Sequence, residues 1–142
     1  MADDFDWEVE AILAPCSVRM RAHKGYFRGG LLLPGVFQKK PPTALGLSVD
    51  WSKYSSPAES ISRARNPLEN KIIQLSVECI RQIRAGTDYL EVKHTPTEDF
   101  SNRAHADVLG LPDARLESTE IRVRLHEIHE VIDVDGDLNP IP

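Results

Sequence analysis

The chain has 142 residues, of which 41% are hydrophobic and 27% are charged, and its formal net charge is −5. A chain of this length and composition can bury one ordinary core, so disorder, a fibre and a repeat array are excluded. Apolar runs such as Leu31 to Leu33 are far shorter than the roughly 20 residues that a membrane-spanning helix needs.

The start of the chain and its cysteines bear on its location. The first ten residues hold five acids and no base, the opposite of a secretory or transit peptide. The two cysteines, Cys16 and Cys79, are too few for a disulfide framework and lack the spacing of metal ligands. We therefore expect a cytoplasmic protein with reduced thiols, no contact with a membrane and no cofactor.

Positive charge is concentrated near the N-terminus. The segment from Ala11 to Val49 holds six bases and no acid, which is typical of a surface for phosphate, nucleic acid or an acidic partner. The alternative is that these bases pair with the protein's own acids. The four bases that we expect to bind a ligand are Arg19, Arg21, Lys24 and Arg28.

The first half of the chain favours short strands and one capped helix. Residues 1–10 form an acidic lead-in, and Ala11 to Phe37 has the glycine-rich texture of short strands joined by turns. Leu45 to Trp51 alternates apolar and polar residues, which predicts a strand. The cap residue, proline and acid in Ser56 to Glu59 predict the start of a helix that ends by Asn66.

Two periodicities overlap in the second half. Lys71 to Ile83 fits both a strand and a helix. We favour a strand through Val77 and then a helical turn to Arg84, because β-branched residues dominate the first part. Alternation predicts further strands at Tyr89 to His94 and at Ala104 to Val108.

The last predicted element is an amphipathic helix from Ser118 to Val131, followed by an acidic tail at residues 133–142. The apolar stripe of this helix consists of Ile121, Leu125, Ile128 and Ile132. The order of elements lacks the regular alternation of a doubly wound parallel sheet. We therefore predict an α+β fold: one domain over residues 11–132 with a mostly antiparallel sheet, one short helix and one C-terminal amphipathic helix.

One polar strand face is the best candidate for chemistry. Alternation puts Arg103, His105 and Asp107 on one face, with about 7 Å between successive residues. An arginine can bind an anion while a carboxylate, from Asp107 or Asp50, orients the histidine as acid or base. Arg103, His105 and Asp107 are therefore the candidate catalytic residues. The alternative is an ordinary polar face beside water, in which the histidine is merely hydrogen-bonded.

Three further motifs match known chemistry only in part. Lys24 to Gly30 combines glycines, cations and aromatics, which can cradle a phosphate or stack a base, or simply form a hairpin. His126 and His129 are three residues apart, whereas a zinc-protease helix needs four. Asp133 to Asn139 has oxygen ligands around a glycine, but not in the register of a calcium loop. We therefore predict no metal site.

Short motifs recur along the middle of the chain. They are Leu47-Ser48-Val49, the helix start Ser56-Pro57, Leu75-Ser76-Val77 and Arg103-Ala104-His105-Ala106. This pattern, between Leu31 and Gly110, is similar to that of small bacterial proteins of uncharacterised function, and the resemblance implies a bacterial origin. Many members read Asn-Pro-Ala-His where this chain has Asn102 to His105, so Arg103 departs from the pattern.

No complete catalytic motif occurs in the sequence, which favours a non-catalytic binding module. We expect a component of a multi-protein system that contacts a protein partner or a polyanion through its basic N-terminal segment. The alternatives are a small enzyme that acts on a nucleotide or nucleic acid through His105, Arg103 and Asp107, and a simple nucleic-acid-binding protein. A cleft that joins His105 to the N-terminal arginines would favour the enzyme. The sequence leaves the substrate and the oligomeric state open.

Overall fold

A six-stranded sheet carries the fold. The computed structural model describes residues 7–38, 46–96, 102–112 and 115–132. The strands in these ranges are β1 (Ser17–His23), β2 (Phe27–Arg28), β3 (Leu31–Leu32), β4 (Leu47–Trp51), β5 (Asn70–Ser76), β6 (Arg84–Ala85), β7 (Asp88–Tyr89), β8 (Glu91–His94), β9 (His105–Leu109) and β10 (Glu130–Ile132). The large sheet has the order β10-β5-β1-β4-β9-β8, and β2-β3 and β6-β7 are separate hairpins. All pairs are antiparallel.

Helices in the described ranges are short except for the last one. They are α1 (Pro57–Ser62), α2 (Val77–Ile80) and α3 (Arg115–Ile128), with 3₁₀ turns at Lys24–Tyr26, Pro34–Val36 and Pro67–Glu69. The predicted cap of α1 is confirmed, because the Ser56 hydroxyl accepts from the Glu59 N–H and the Glu59 carboxylate accepts from the Ser56 N–H. Such a capping box satisfies two backbone donors that a helix start would otherwise leave open.

The predicted α+β class is confirmed, and several boundaries are corrected. The strand predicted from Tyr89 to His94 is interrupted at Leu90. Strand β7 ends before this residue, at Tyr89, and β8 begins after it, at Glu91. Helix α3 ends at Ile128, and the residues after it form β10 rather than the last helical turn. The reason is the open edge of β5, on which Val131 pairs with Ile73. The predicted tail at 133–142 lies outside the described residues.

The two faces of the sheet differ in what covers them. On one face α3 contributes Ile121 and Leu125 to the main core, which also contains Val18, Val49 and Leu75. The opposite face of β1 and β5 is covered by α1, where Ile61 and Ile72 are buried outside that core cluster. Polar side chains of the central strands therefore face the side that α1 covers only in part.

No helix in the described ranges combines the length and the apolar character needed to cross a membrane.

A glycine at the start of β4 allows the close approach of β9. A Cβ on Gly46 would lie 2.4 Å from the carbonyl oxygen of Val108, which is backbone and cannot rotate away. We expect Gly46→Ala to lower the free energy of unfolding by about 1–3 kcal/mol in urea titrations, because overpacking forces backbone shifts. Gly35→Ala is the control, since no atom lies within 4 Å of a Cβ there. Equal losses in both variants would contradict this packing.

Candidate functional site

The two central strands of the sheet, β1 and β4, pair over only part of their length. Strands β1 and β4 pair only at Val18 with Trp51 and at Arg19 with Asp50 among the described residues, whereas β1 pairs with β5 along its full length. Beyond Arg19 the two strands separate, and a cavity of about 590 Å³ lies between them. This volume is within the range of about 300–1,000 Å³ that small-molecule sites occupy.

Backbone groups of both strands face this gap. The Ser17 carbonyl accepts from the Ser52 N–H at 3.0 Å, so the backbone of Ser17 faces the side of β4. Because backbone direction alternates along a strand, the amide groups of Arg19 and Arg21 also face β4. By the same alternation the backbone of Ser48 faces β1. The backbone groups of Arg21 and Ser48 are therefore directed towards the gap.

The side chains at the gap are strongly cationic. Arg21, Arg63 and Arg65 line the large cavity, and its described lining contains no carboxylate. A smaller cavity of about 50 Å³ adjoins it and is lined in part by Arg19, Asp50 and His105. The two cavities share Met20, Arg21 and Ser48. We name them together the cationic cleft, whose charged lining residues are Arg19, Arg21, Asp50, Arg63 and Arg65, with His23 and His105 as its histidines.

Asp50 supplies the carboxylate of the cleft, and this carboxylate already accepts hydrogen bonds within the protein. It is buried, with 5% of its surface exposed. Its Oδ2 accepts from Nη1 of Arg63 at 3.1 Å and lies 3.9 Å from Nη1 of Arg21, while its Oδ1 accepts from Nδ2 of Asn102 at 2.9 Å. One carboxylate cannot neutralise four guanidinium groups, so the cleft carries excess positive charge.

Arg19 is held in place by neutral acceptors. Its Nε donates to Oε1 of Gln74 at 2.9 Å and its Nη1 donates to the Ser55 carbonyl at 2.8 Å. Loss of hydration in this half-buried position lowers the pKa of Arg19, but a guanidinium remains protonated at neutral pH. Its full charge is therefore available to an anion in the cleft.

His105 lines the small cavity and is not fully packed. Its Nδ1 lies 2.9 Å from the Thr95 carbonyl, which can only accept, so we assign the proton to Nδ1. The Thr95 hydroxyl lies 3.0 Å from the same nitrogen and donates to Oδ2 of Asp107 at 2.9 Å. In the neutral form Nε2 is then the acceptor nitrogen, and Asp107 acts on the ring only through Thr95.

Arg103 does not join the other two predicted catalytic residues, so the predicted grouping on one face is wrong. Strand β9 begins at His105, and Arg103 lies in the preceding turn, where the Ala104 N–H donates to Oδ1 of Asn102 at 3.1 Å. The Arg103 guanidinium lies 4.2 Å from the centre of the Tyr54 ring and 3.7 Å from Oε2 of Glu10. Strand alternation does not extend through a turn, which explains the error.

The four predicted cationic ligands separate into two pairs. Arg19 and Arg21 line the cationic cleft. Lys24 donates to Oε1 of Glu69 at 3.0 Å, and Arg28 is exposed in the β2-β3 hairpin, so neither lines the cleft. Sequence reasoning missed Arg63 and Arg65, which follow α1; the two basic residues beside a helix end were the available signal.

His126 lies in α3 and His129 directly follows that helix, and both rings contact backbone carbonyls. Nε2 of His126 donates to the Leu32 carbonyl at 2.7 Å, and Nδ1 of His129 contacts the His126 carbonyl. Across the described ranges, no group of three or more metal-ligating side chains is present. The calcium-like segment Asp133 to Asn139 lies outside the described residues.

These features define the class: an α+β protein whose antiparallel sheet opens into a cationic cleft. Comparisons with protein-family models, with curated proteins and with solved structures found no match to this chain.

The hydrogen bonds of Glu10 hold the N-terminal segment beside the sheet. They make a pH-dependent contribution to the free energy of unfolding. A hydrogen bond from Lys53 at 2.6 Å, followed by one from Tyr54, lowers the pKa of Glu10 from its usual 4.5. A depressed pKa contributes stability above the usual value, and that contribution is lost as pH falls through the lowered pKa. We expect Glu10→Gln to reduce the free energy of unfolding at pH 7 and to have progressively less effect below about pH 4.5.

The measurement is urea unfolding of both forms across this pH range. Glu8→Gln is the control, because Glu8 is exposed and two residues away. A Glu10→Gln effect that is independent of pH would contradict the assignment.

Proposed function

We propose that this protein is a non-catalytic binding module that holds a small phosphate-bearing anion in the cationic cleft. The observation that carries the proposal is the balance of charge, four arginines against one carboxylate that is already hydrogen-bonded. Arginines bind phosphate oxygens in a bidentate manner, which adds geometric specificity to the attraction of charge.

The shape of the cleft favours a small anion over an acidic protein surface. Arg19 lies on β1 at the point where the gap opens and is half-buried there, so a flat acidic surface would reach its guanidinium only in part. Of the residues that the sequence assigned to polyanion binding, Lys24 is engaged by Glu69. A ligand that enters the cleft would contact Arg19 and Arg21 and leave Lys24 and Arg28 outside.

Calorimetric titration with ribose 5-phosphate tests the proposal. We expect Arg65→Gln and Arg21→Gln each to weaken binding about tenfold, which corresponds to the loss of one charge-assisted hydrogen bond. Arg65 is exposed and has no hydrogen bond within the described residues, so we expect its variant to fold. Arg28→Gln removes the same charge outside the cleft and is the matched control. Unchanged affinity in the two cleft variants at low salt would overturn the proposal.

A small phosphate-transferring or phosphate-releasing enzyme is the second candidate. The observation that favours it is that His105 lines the same small cavity as Arg19 and Arg21. An arginine-bound phosphate and an imidazole with an open acceptor nitrogen are the elements of general acid–base chemistry on a phosphate ester. Turnover of a phosphate ester that His105→Gln abolishes and Arg103→Gln retains would favour the enzyme. Binding without turnover would favour the module.

A further inference from the structure

We propose that the ligand of the cationic cleft is a single nucleotide, whose base occupies the part of the large cavity that Tyr26 lines. This inference rests on the proposed function, because the arginines would hold the phosphate. It adds the chemical identity of the group attached to that phosphate.

The lining of the large cavity includes apolar and aromatic residues as well as arginines. Tyr26, Val36 and Leu47 line it together with the arginines. Val36 and Leu47 are buried in the main core, whereas Tyr26 is half-buried and packs against that core. A phosphate alone makes no use of apolar and aromatic residues, whereas a heterocyclic base buries its faces against a side chain such as Tyr26.

Tyr26 is fixed at the cavity by its local backbone. It ends the 3₁₀ turn Lys24–Tyr26, and its carbonyl accepts from the Leu33 N–H at 2.7 Å. The hairpin that follows is closed by Gly29 and Gly30, with φ of 60° and 82°. A half-buried aromatic ring at a cavity is a stacking platform for a base.

Carboxamide groups complete the arrangement. The side chains of Gln38 and Asn66 line the same cavity, and neither makes a hydrogen bond with the described residues. A carboxamide both donates and accepts, which matches the paired donors and acceptors on the edge of a base. The cavity therefore combines cations for phosphate, a ring for the base and amides for its edge.

Two sets of titrations test the inference, each on the full chain by calorimetry. The first compares the 5′-monophosphates of adenosine, guanosine, cytidine and uridine with ribose 5-phosphate. We expect at least one nucleotide to bind at least tenfold more tightly than the sugar phosphate. The second compares Tyr26→Leu with Tyr89→Leu, a matched change at an exposed tyrosine in β7. We expect only Tyr26→Leu to reduce the advantage of the nucleotide, with the affinity for ribose 5-phosphate unchanged.

The outcomes separate this inference from the proposed function. Equal affinity for every nucleotide and for ribose 5-phosphate would overturn the inference and leave the anion site standing. Absence of binding by all of these ligands would overturn both. Binding of a single-stranded oligonucleotide a hundredfold more tightly than any mononucleotide would overturn the single-nucleotide ligand in favour of nucleic acid. If Tyr26→Leu fails to fold, Gln38→Ala and Asn66→Ala must reduce the nucleotide advantage in its place.

Discussion

We expect Asp50→Ala to lower the free energy of unfolding by about 3 kcal/mol, because truncation of a buried charge leaves its partners unpaired. The carboxylate accepts from Arg63 and Asn102 and lies opposite Arg19 in the only stretch where β1 and β4 pair among the described residues. Its loss would leave the buried Asn102 side chain without that acceptor. The positive charge of the four arginines of the cleft would then have no carboxylate of the cleft to offset it. The expected loss is at the lower end of the range for buried pairs, since the Arg63 side chain is 28% exposed.

Urea unfolding of three variants measures this effect. Asp107→Ala is the matched control, an aspartate on the same sheet face that accepts one hydrogen bond from Thr95, and we expect it to lose about 1 kcal/mol. Asp50→Asn keeps the shape and the acceptor for Asn102, so it should lose less than Asp50→Ala. It should also bind a phosphate monoester more tightly, because it removes negative charge from the cleft. Equal losses for Asp50→Ala and Asp107→Ala would contradict the role of Asp50.

The second large effect is expected at Leu125. This side chain of α3 is fully buried and belongs to the main core. Leu125→Ala should lower the free energy of unfolding by about 2–5 kcal/mol, through lost burial and through the cavity left behind. Because the cavity would lie on the face of the sheet opposite Arg19 and Arg21, the variant should retain its affinity for a phosphate monoester under conditions in which it is folded.

Val123→Ala provides the control on the same helix. Its side chain is 45% exposed, so the change should cost well under 1 kcal/mol. Chemical denaturation followed by circular dichroism measures both variants. A small loss for Leu125→Ala would contradict the packing of α3 on the sheet.

Local signals were sufficient for much of the fold. The alternation in Leu45 to Trp51 and the capping box at Ser56 depend on neighbouring residues alone; the structure confirms the strand over Leu47–Trp51 and confirms the cap. Strand β10 was missed because Ile132 continues the helical stripe of Ile121 and Leu125. These residues form a strand because they pair with the edge of β5, about 60 residues away in the sequence. No local sequence pattern indicates that such an edge is open.

The candidate site was predictable only as separate residues. Composition singled out Arg19 and Arg21, and a strand pattern singled out His105. Their meeting depends on the sheet order, in which β4 lies between β1 and β9 and Asp50 pairs with Arg19 on one side and His105 on the other. Strand order is set by long-range packing, which a local pattern does not report. Asp50, which joins the two groups, was therefore proposed only as an alternative to Asp107 for orienting His105. The widening of the gap between β1 and β4 has no sequence signal that we can identify.

The most direct test of the cationic cleft is an NMR titration of the ¹⁵N-labelled protein with ribose 5-phosphate. We expect saturable shifts of the backbone amides of Arg21, Ser48 and Arg65 that fit one dissociation constant, with the amides of Arg28 and Val123 unmoved. Shifts spread over all exposed cations, without saturation at low salt, would contradict a site between the two strands.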